Sequence, residues 1–283
     1  MNIQWYPGHM TKARREMTES LKLVELVIEL LDARIPISSR NPDIDKLCGN
    51  KPRLIVLNKS DLADDKITKI WIQYFKGIGK DCIEVDSLSG KNVKTIGRVV
   101  QDKFKERNKN LKAKGIVSKP IRIMIAGVPN VGKSSLINRL SGRASAKTGD
   151  KPGVTRGKQW IKLGSNMELL DTPGILWPKF DDPKVGYNLA FTGAIKDEIL
   201  DTAELSIKLI DTLIEICPES IVSRYNLKDT KKLAIEILED IGKVRGCMLP
   251  GGNIDIDRAA SIVLDEFRSG KLGRISLEKP NIK

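Results

Sequence analysis

The stretch Gly127-Val-Pro-Asn-Val-Gly132-Lys133-Ser134 constrains this chain more than any other. It matches G-x-x-x-x-G-K-[ST] and lies between the apolar run Ile121 to Gly127 and a helix-prone segment that starts at Lys133. Glycines let backbone N–H groups wrap phosphate oxygens, and the following helix adds its positive dipole end. Lys133 brings a point charge to β- and γ-phosphates, and the Ser134 hydroxyl is a Mg²⁺ ligand. Asn130, Val131, Gly132 and Ser135 complete the cradle. Strand–helix–strand alternation in the residues before it argues a parallel α/β sheet flanked by helices.

Downstream, Met167 to Gly174 (MELLDTPG) reads as a strand ending in D-x-x-G. Asp171 would hold Mg²⁺ through water, and the Gly174 N–H would sense the γ-phosphate. Between cradle and strand lies KTGDKPGVTRG, Lys147 to Gly157, polar and glycine-rich as a switch segment must be. Thr155 there is the natural second hydroxyl ligand for Mg²⁺.

A base reader is present, but on the other side of the cradle. Asn58-Lys59-Ser60-Asp61 fits N-K-x-D and ends the apolar run Arg53 to Asn58. The Asp61 carboxylate can accept from both N1–H and the N2 amine of guanine. Adenine lacks that amine and presents N1 as an acceptor, so the site discriminates strongly. Asn58 would meet N7 or brace the loop, and the Lys59 stem would lie over the base. Ser87, Leu88 and Ser89, in SLSG after the next strand, match a loop whose backbone approaches guanine O6. Downstream of Asp171 only NLKD, Asn226 to Asp229, comes near the pattern, and it lacks the Lys. The order of base reader, O6 loop, cradle, switch I and switch II is that of a circularly permuted Ras-like domain, with the usual termini joined through residues 105–120.

Runs rich in β-branched residues and Leu (Leu23 to Asp32, Arg53 to Asn58, Cys82 to Ser87, Ile121 to Gly127) predict strands, with a helix around Ile67 to Phe75. Thr11 to Leu23 is helix-prone. Beyond Pro183 strand signals fade; Glu198 to Ile216, Asp229 to Ile241 and Asp255 to Phe267 carry apolar residues at helical spacing, with Asp229 and Asp255 as N-caps. The expected division is a permuted P-loop domain over residues 1–184 and a small all-α domain over residues 185–283.

With 49 Lys and Arg against 36 Asp and Glu, the chain carries a formal +13, which suits a polyanionic partner. Its four cysteines are scattered, without C-x-x-C, and read as buried small hydrophobes in a reducing compartment. Glu25 and Glu29 interrupt the longest apolar run, so no membrane partner is expected. The expectation is a cytoplasmic monomer.

With these residues placed, the chain resembles the ribosome-biogenesis GTPase A family (the YlqF type) of circularly permuted bacterial GTPases. The likeness rests on WYPGHMTKARRE near the N-terminus, LDARIP (Leu31 to Pro36), NKSD, GVPNVGKSS, PGVTR, DTPG and the C-terminal DRAA and FRSGKLGR. It implies GTP hydrolysis on an immature large ribosomal subunit, with the helical domain touching rRNA. Arg258, Arg268, Lys271 and Arg274 are then either RNA contacts or solvated helix ends. The alternative is a GTP switch gating an RNA-modifying partner enzyme.

Ras-like enzymes place a water-orienting Gln after D-x-x-G. Here Ile175 stands there and cannot hydrogen-bond water, so intrinsic hydrolysis should be slow and stimulated by the partner. His9, the single histidine, can orient or accept from water, or can instead cap a helix beside Trp5 and Pro7. Similarity to GTPases whose cradle reads G-x-P-N-x-G-K-[ST] implies that Asn130 holds a K⁺ beside the β/γ-phosphates; otherwise it is a turn residue.

Overall fold

The computed structural model describes residues 15, 17–115, 119–142, 159–164, 166–171, 180, 182–228 and 231–280. Six strands form one sheet: β1 (Leu26–Asp32), β2 (Arg53–Asn58), β3 (Asp81–Glu84), β4 (Ile121–Ala126), β5 (Gln159–Leu163) and β6 (Met167–Asp171). Their order is β3-β2-β1-β4-β6-β5, parallel except for the antiparallel edge strand β5. Every residue of β1 and β2 is buried, as expected of strands covered on both faces.

Ten α-helices are labelled in chain order: α1 (Ile44–Cys48), α2 (Asp65–Gly77), α3 (Val93–Lys103), α4 (Lys105–Ala113), α5 (Lys133–Ser141), α6 (Pro183–Phe191), α7 (Thr202–Ile216), α8 (Pro218–Tyr225), α9 (Ala234–Val244) and α10 (Ile256–Arg268). Residues 17–21, at the end of the helix expected from Thr11 to Leu23, are helical and bury Met17 and Leu21 against Val27, Met124 and Leu170. The Asp64 carboxylate caps α2 by accepting from the Lys66 and Ile67 N–H groups, and Trp71 and Phe75 stack at 5.7 Å toward β2. The opposite face of the sheet joins a cluster that runs from Ile28 and Ile123 through Leu189 and Phe191 to Leu209, Val263 and Phe267. Residue 185 thus lies in the first turn of α6, and apolar packing continues across it. Burying each such Leu or Phe contributes about 1.5–3 kcal/mol, so this seam is a strong one.

Several boundaries differ from expectation. The third strand ends at Glu84 because the Asp86 carboxylate turns the chain, accepting from the Leu88 and Ser89 N–H groups at 2.8 and 3.2 Å. Helix α9 begins at Ala234; the Glu236 carboxylate reaches back to the Leu233 N–H at 2.9 Å, and Asp229 lies outside the described residues. Asp255 does cap α10, through the Arg258 N–H at 3.0 Å. The joining segment is partly a docked helix, since Arg107 of α4 pairs with Glu25 and lies 4.9 Å from the centre of the Phe104 ring. Strand β5, helices α1, α6 and α8, and α3 before Gln101 carry no recognised sequence signal. Among the described residues no helix is long and apolar enough to cross a membrane. Cys48, Cys82 and Cys247 are buried, as read, while Cys217 is half-buried; burial pushes the Cys82 thiol up to about 12.

Candidate nucleotide site

Strands β1, β2 and β4 are adjacent and parallel, so their carboxyl ends deliver Asp32, Asn58 and the loop after Ala126 to one edge. Gly127 passes so close to β1 that a Cβ there would lie 2.6 Å from the Leu30 carbonyl oxygen. Gly132 takes φ +98°, and a Cβ on it would meet Asn58 Nδ2 at 2.3 Å. Only glycine fits that place.

Asn58 is the hub. Its Nδ2 donates to the Val131 carbonyl at 2.7 Å, while its Oδ1 accepts from the Ser87 N–H at 3.1 Å and the Ser87 hydroxyl at 2.7 Å. Of the two roles left open for Asn58, this structure displays the brace. One buried amide joins the NKSD, SLSG and GVPNVGKSS segments, the first and last of which are far apart in the chain. The Leu88 carbonyl in turn accepts from Arg139 of α5, and Leu88 itself is exposed.

Asp61 is exposed and makes no ion pair among the described residues. Partial burial and then the Asp86 charge push its carboxyl upward. Lys59 adopts a left-handed φ of 57°, and its Nζ lies 3.2 Å from Asp32. Burial pulls the Lys59 ammonium down against that partner. Asp32 is also gripped by Arg34, with 2.9 and 2.7 Å bonds from Nε and Nη2. Burial alone would raise the Asp32 carboxyl, but Arg34 and Lys59 outweigh it and hold it below the ordinary carboxylate range. Arg34 is fully buried and lies 5.4 Å from the centre of the Phe267 ring in α10. Motif reasoning does not predict this contact between the loop after β1 and the helical region.

Lys133 opens α5 with Ser134 and Ser135, and its Nζ donates to the Gly127 and Val128 carbonyls at 2.9 and 2.8 Å. Asn130, at φ 55°, donates from Nδ2 to the Gly193 carbonyl at 2.7 Å. Asp171 ends β6, whose Leu170 is paired with Met124 of β4, so its backbone reaches the cradle's edge of the sheet. His9, Thr155, Gly174 and Ile175 lie outside the described residues.

Two of the four basic residues singled out near the C-terminus are committed within the molecule. Arg268 forks onto Asp197 at 2.7 Å twice and donates to the Phe191 and Ala190 carbonyls. Arg274 donates to the Ser60 and Ala63 carbonyls at 2.7 and 2.9 Å and pairs with Asp65. Guanidinium forks suit such carbonyl clusters, and a helix-end pattern cannot reveal them. Arg258 and Lys271 are exposed.

The sequence is 52% identical over 280 residues to ribosome biogenesis GTPase A of Bacillus cereus, spanning 99% of this chain and 95% of that one. The chain belongs to the ribosome biogenesis GTPase A family. The family's relative in Thermotoga maritima is 34% identical, spanning 98% and 95% of the two chains. A solved structure of GNP-bound YlqF from T. maritima superposes with a TM-score of 0.67 at 30% identity, covering 96% of this chain and 100% of that one. A family model described as 50S ribosome-binding GTPase matches residues 122–242; the match begins in β4 and so leaves out Asn58 to Asp61. This member is a circularly permuted P-loop GTPase with a helical C-terminal region, and it binds guanine nucleotides. A role in gating an RNA-modifying enzyme finds no support in these likenesses.

Proposed function

We propose that this GTPase assembles the large ribosomal subunit in the cytoplasm, bound in its GTP form and released when GTP is hydrolysed. The observation that carries the reading is the Asn58 hub, since it ties base, O6 and phosphate segments into one nucleotide site. Family relatives named for ribosome biogenesis and the +13 charge support the choice of partner. The protein acts as a monomer, with residues 1–184 as the switch and 185–283 as the rRNA-facing unit; Arg258 and Lys271 are the exposed cations for that contact.

Asp61 reads guanine and the Lys59 stem covers the base. Ser134, Thr155 and Asp171 would hold Mg²⁺. The fit is good: a hydroxyl on the first turn of α5 and a carboxylate residue ending the neighbouring strand β6 are the hard oxygen donors this ion takes. Mg²⁺ neutralises phosphate charge when bound. Asn130 donates through its Nδ2, which leaves Oδ1 as the atom that would face a K⁺. Gly174 senses the γ-phosphate, and Lys133 leaves its two carbonyl partners for the phosphates. His9 orients the attacking water once the subunit has docked, because Ile175 cannot, and the subunit therefore stimulates turnover.

Sedimentation of cell extract tests the reading. With a non-hydrolysable GTP analogue the protein should travel with large subunits, and with GDP it should stay at the top of the gradient. Equal sedimentation in both nucleotides would sink the release model.

A further inference from the structure

The base-reading loop is held by the far end of the chain. The Leu62 carbonyl accepts from the Ile275 N–H at 2.9 Å, and the Asp64 N–H donates to the Ser276 hydroxyl at 3.1 Å. Arg274 adds its two bonds to the Ser60 and Ala63 carbonyls, and Gly270 packs so tightly that a Cβ would meet Leu62 at 2.7 Å. One step further on, the Leu277 N–H donates to the Arg34 carbonyl at 2.9 Å. The Trp71 indole donates to the Glu278 carbonyl at 3.2 Å, and the Glu278 carboxylate accepts from the Ile37 and Ser38 N–H groups at 2.7 and 3.0 Å. Backbone groups on both sides of Asp61 are therefore fixed by residues 270–278, while Asp61 as a residue is exposed, its carboxyl partly screened from water.

We infer that this C-terminal segment is part of the guanine site, with Arg274 as a positioning residue that sets where Asp61 meets the base. The inference rests on Asn58–Asp61 being the base reader. A loop whose carbonyls are left unheld samples more conformations, and each misplacement of a carboxylate weakens the two bonds it makes to guanine. The fork geometry matters, because one guanidinium spans the Ser60 and Ala63 carbonyls while its outer edge pairs with Asp65, across the turn that carries Asp61. By linkage, whatever fixes Asp61 on a base must also tighten the tail.

GDP and IDP binding to the full chain separates positioning from folding, because IDP lacks the N2 amine that Asp61 reads. Arg274→Ala should weaken GDP about tenfold and IDP about twofold, the scale expected when one positioned polar contact is lost. Asp65→Asn, which loosens Arg274 from outside, should lower the GDP-to-IDP preference in the same direction by a smaller factor. In the wild type, GDP should slow hydrogen exchange at the Ile275 and Leu277 amides. Equal losses for both nucleotides, or GDP-independent exchange in the tail, would overturn the inference. Asp61→Asn tells the two failures apart. If that variant keeps GDP affinity, the base-reader assignment falls; if it loses GDP while Arg274→Ala keeps the preference, only the tail inference falls.

Discussion

Asn58 and Val131 stand 73 positions apart and are joined by a 2.7 Å hydrogen bond from the amide of one to the carbonyl of the other. In a permuted chain this bond does what sequence adjacency cannot. It sets the distance between the NKSD loop, proposed to read the base, and the glycine-rich loop, proposed to wrap the phosphates. Asn58→Ala would orphan the Val131 carbonyl and the Ser87 N–H and hydroxyl, each buried partner costing about 1–3 kcal/mol. The expected outcome is a GDP affinity lower by about two orders of magnitude, measured by calorimetric titration. Gly132→Ala should do at least as much harm, since its Cβ would collide with the Asn58 amide. Wild-type affinity in either variant would show that the hub is not needed.

Asn130 connects the cradle to the turn after α6 through the Gly193 carbonyl. If its amide oxygen also serves K⁺, GTP turnover with large subunits present should be faster in KCl than in NaCl at equal ionic strength. Asn130→Ala should erase that difference while GDP binding is mostly kept. Equal wild-type rates in the two salts would leave Asn130 a bridge to Gly193 and no more.

His9 carries the proposal for water orientation. His9→Ala should leave GTP and subunit binding near the wild-type level and lower the subunit-stimulated rate by roughly a hundredfold, the usual scale for a positioned acid–base group. Ile175→Ala should change the rate little. If His9→Ala instead loses the subunit, His9 is a docking residue.

Glu266 ties three helices of the C-terminal region together. It accepts from Arg224 Nε and Nη2 at 2.9 and 2.7 Å and from Arg245 Nη2 at 3.0 Å. The Arg224 hydrogen bonds hold its carboxyl down to about 2. A carboxyl held below its unfolded value stabilises the fold above the ordinary Glu range and loses that effect as pH falls toward 2. Glu266→Gln should therefore cost about 1–2 kcal/mol at pH 7, a figure discounted for the partly exposed arginines. The gap in melting temperature from the wild type should narrow steadily below pH 4.5. A gap that is constant with pH would assign the effect to packing.

Much of the candidate nucleotide site was legible because the chemistry proposed for it is local. A cradle needs its glycines, Lys133 and Ser134 within one strand–loop–helix unit, and a base reader needs Asn58 and Asp61 within one loop, so linear spacing records them. The order of those units also exposed the permutation, and buried parallel strands such as β1 and β2 announced themselves as continuous apolar runs. Strand β5 and the start of α9 were harder. An edge strand takes its pairing from a partner, and Leu233 has no capping side chain of its own. What tertiary structure alone decided were the long-range partnerships: Asn58 as a brace, Arg34 between Asp32 and Phe267, Asn130 on Gly193, and Arg268 and Arg274 turned inward. An arginine near a helix end reads the same in sequence whether it faces solvent or caps carbonyls some two hundred residues away. Only packing, by removing water and bringing those carbonyls within reach, makes the difference.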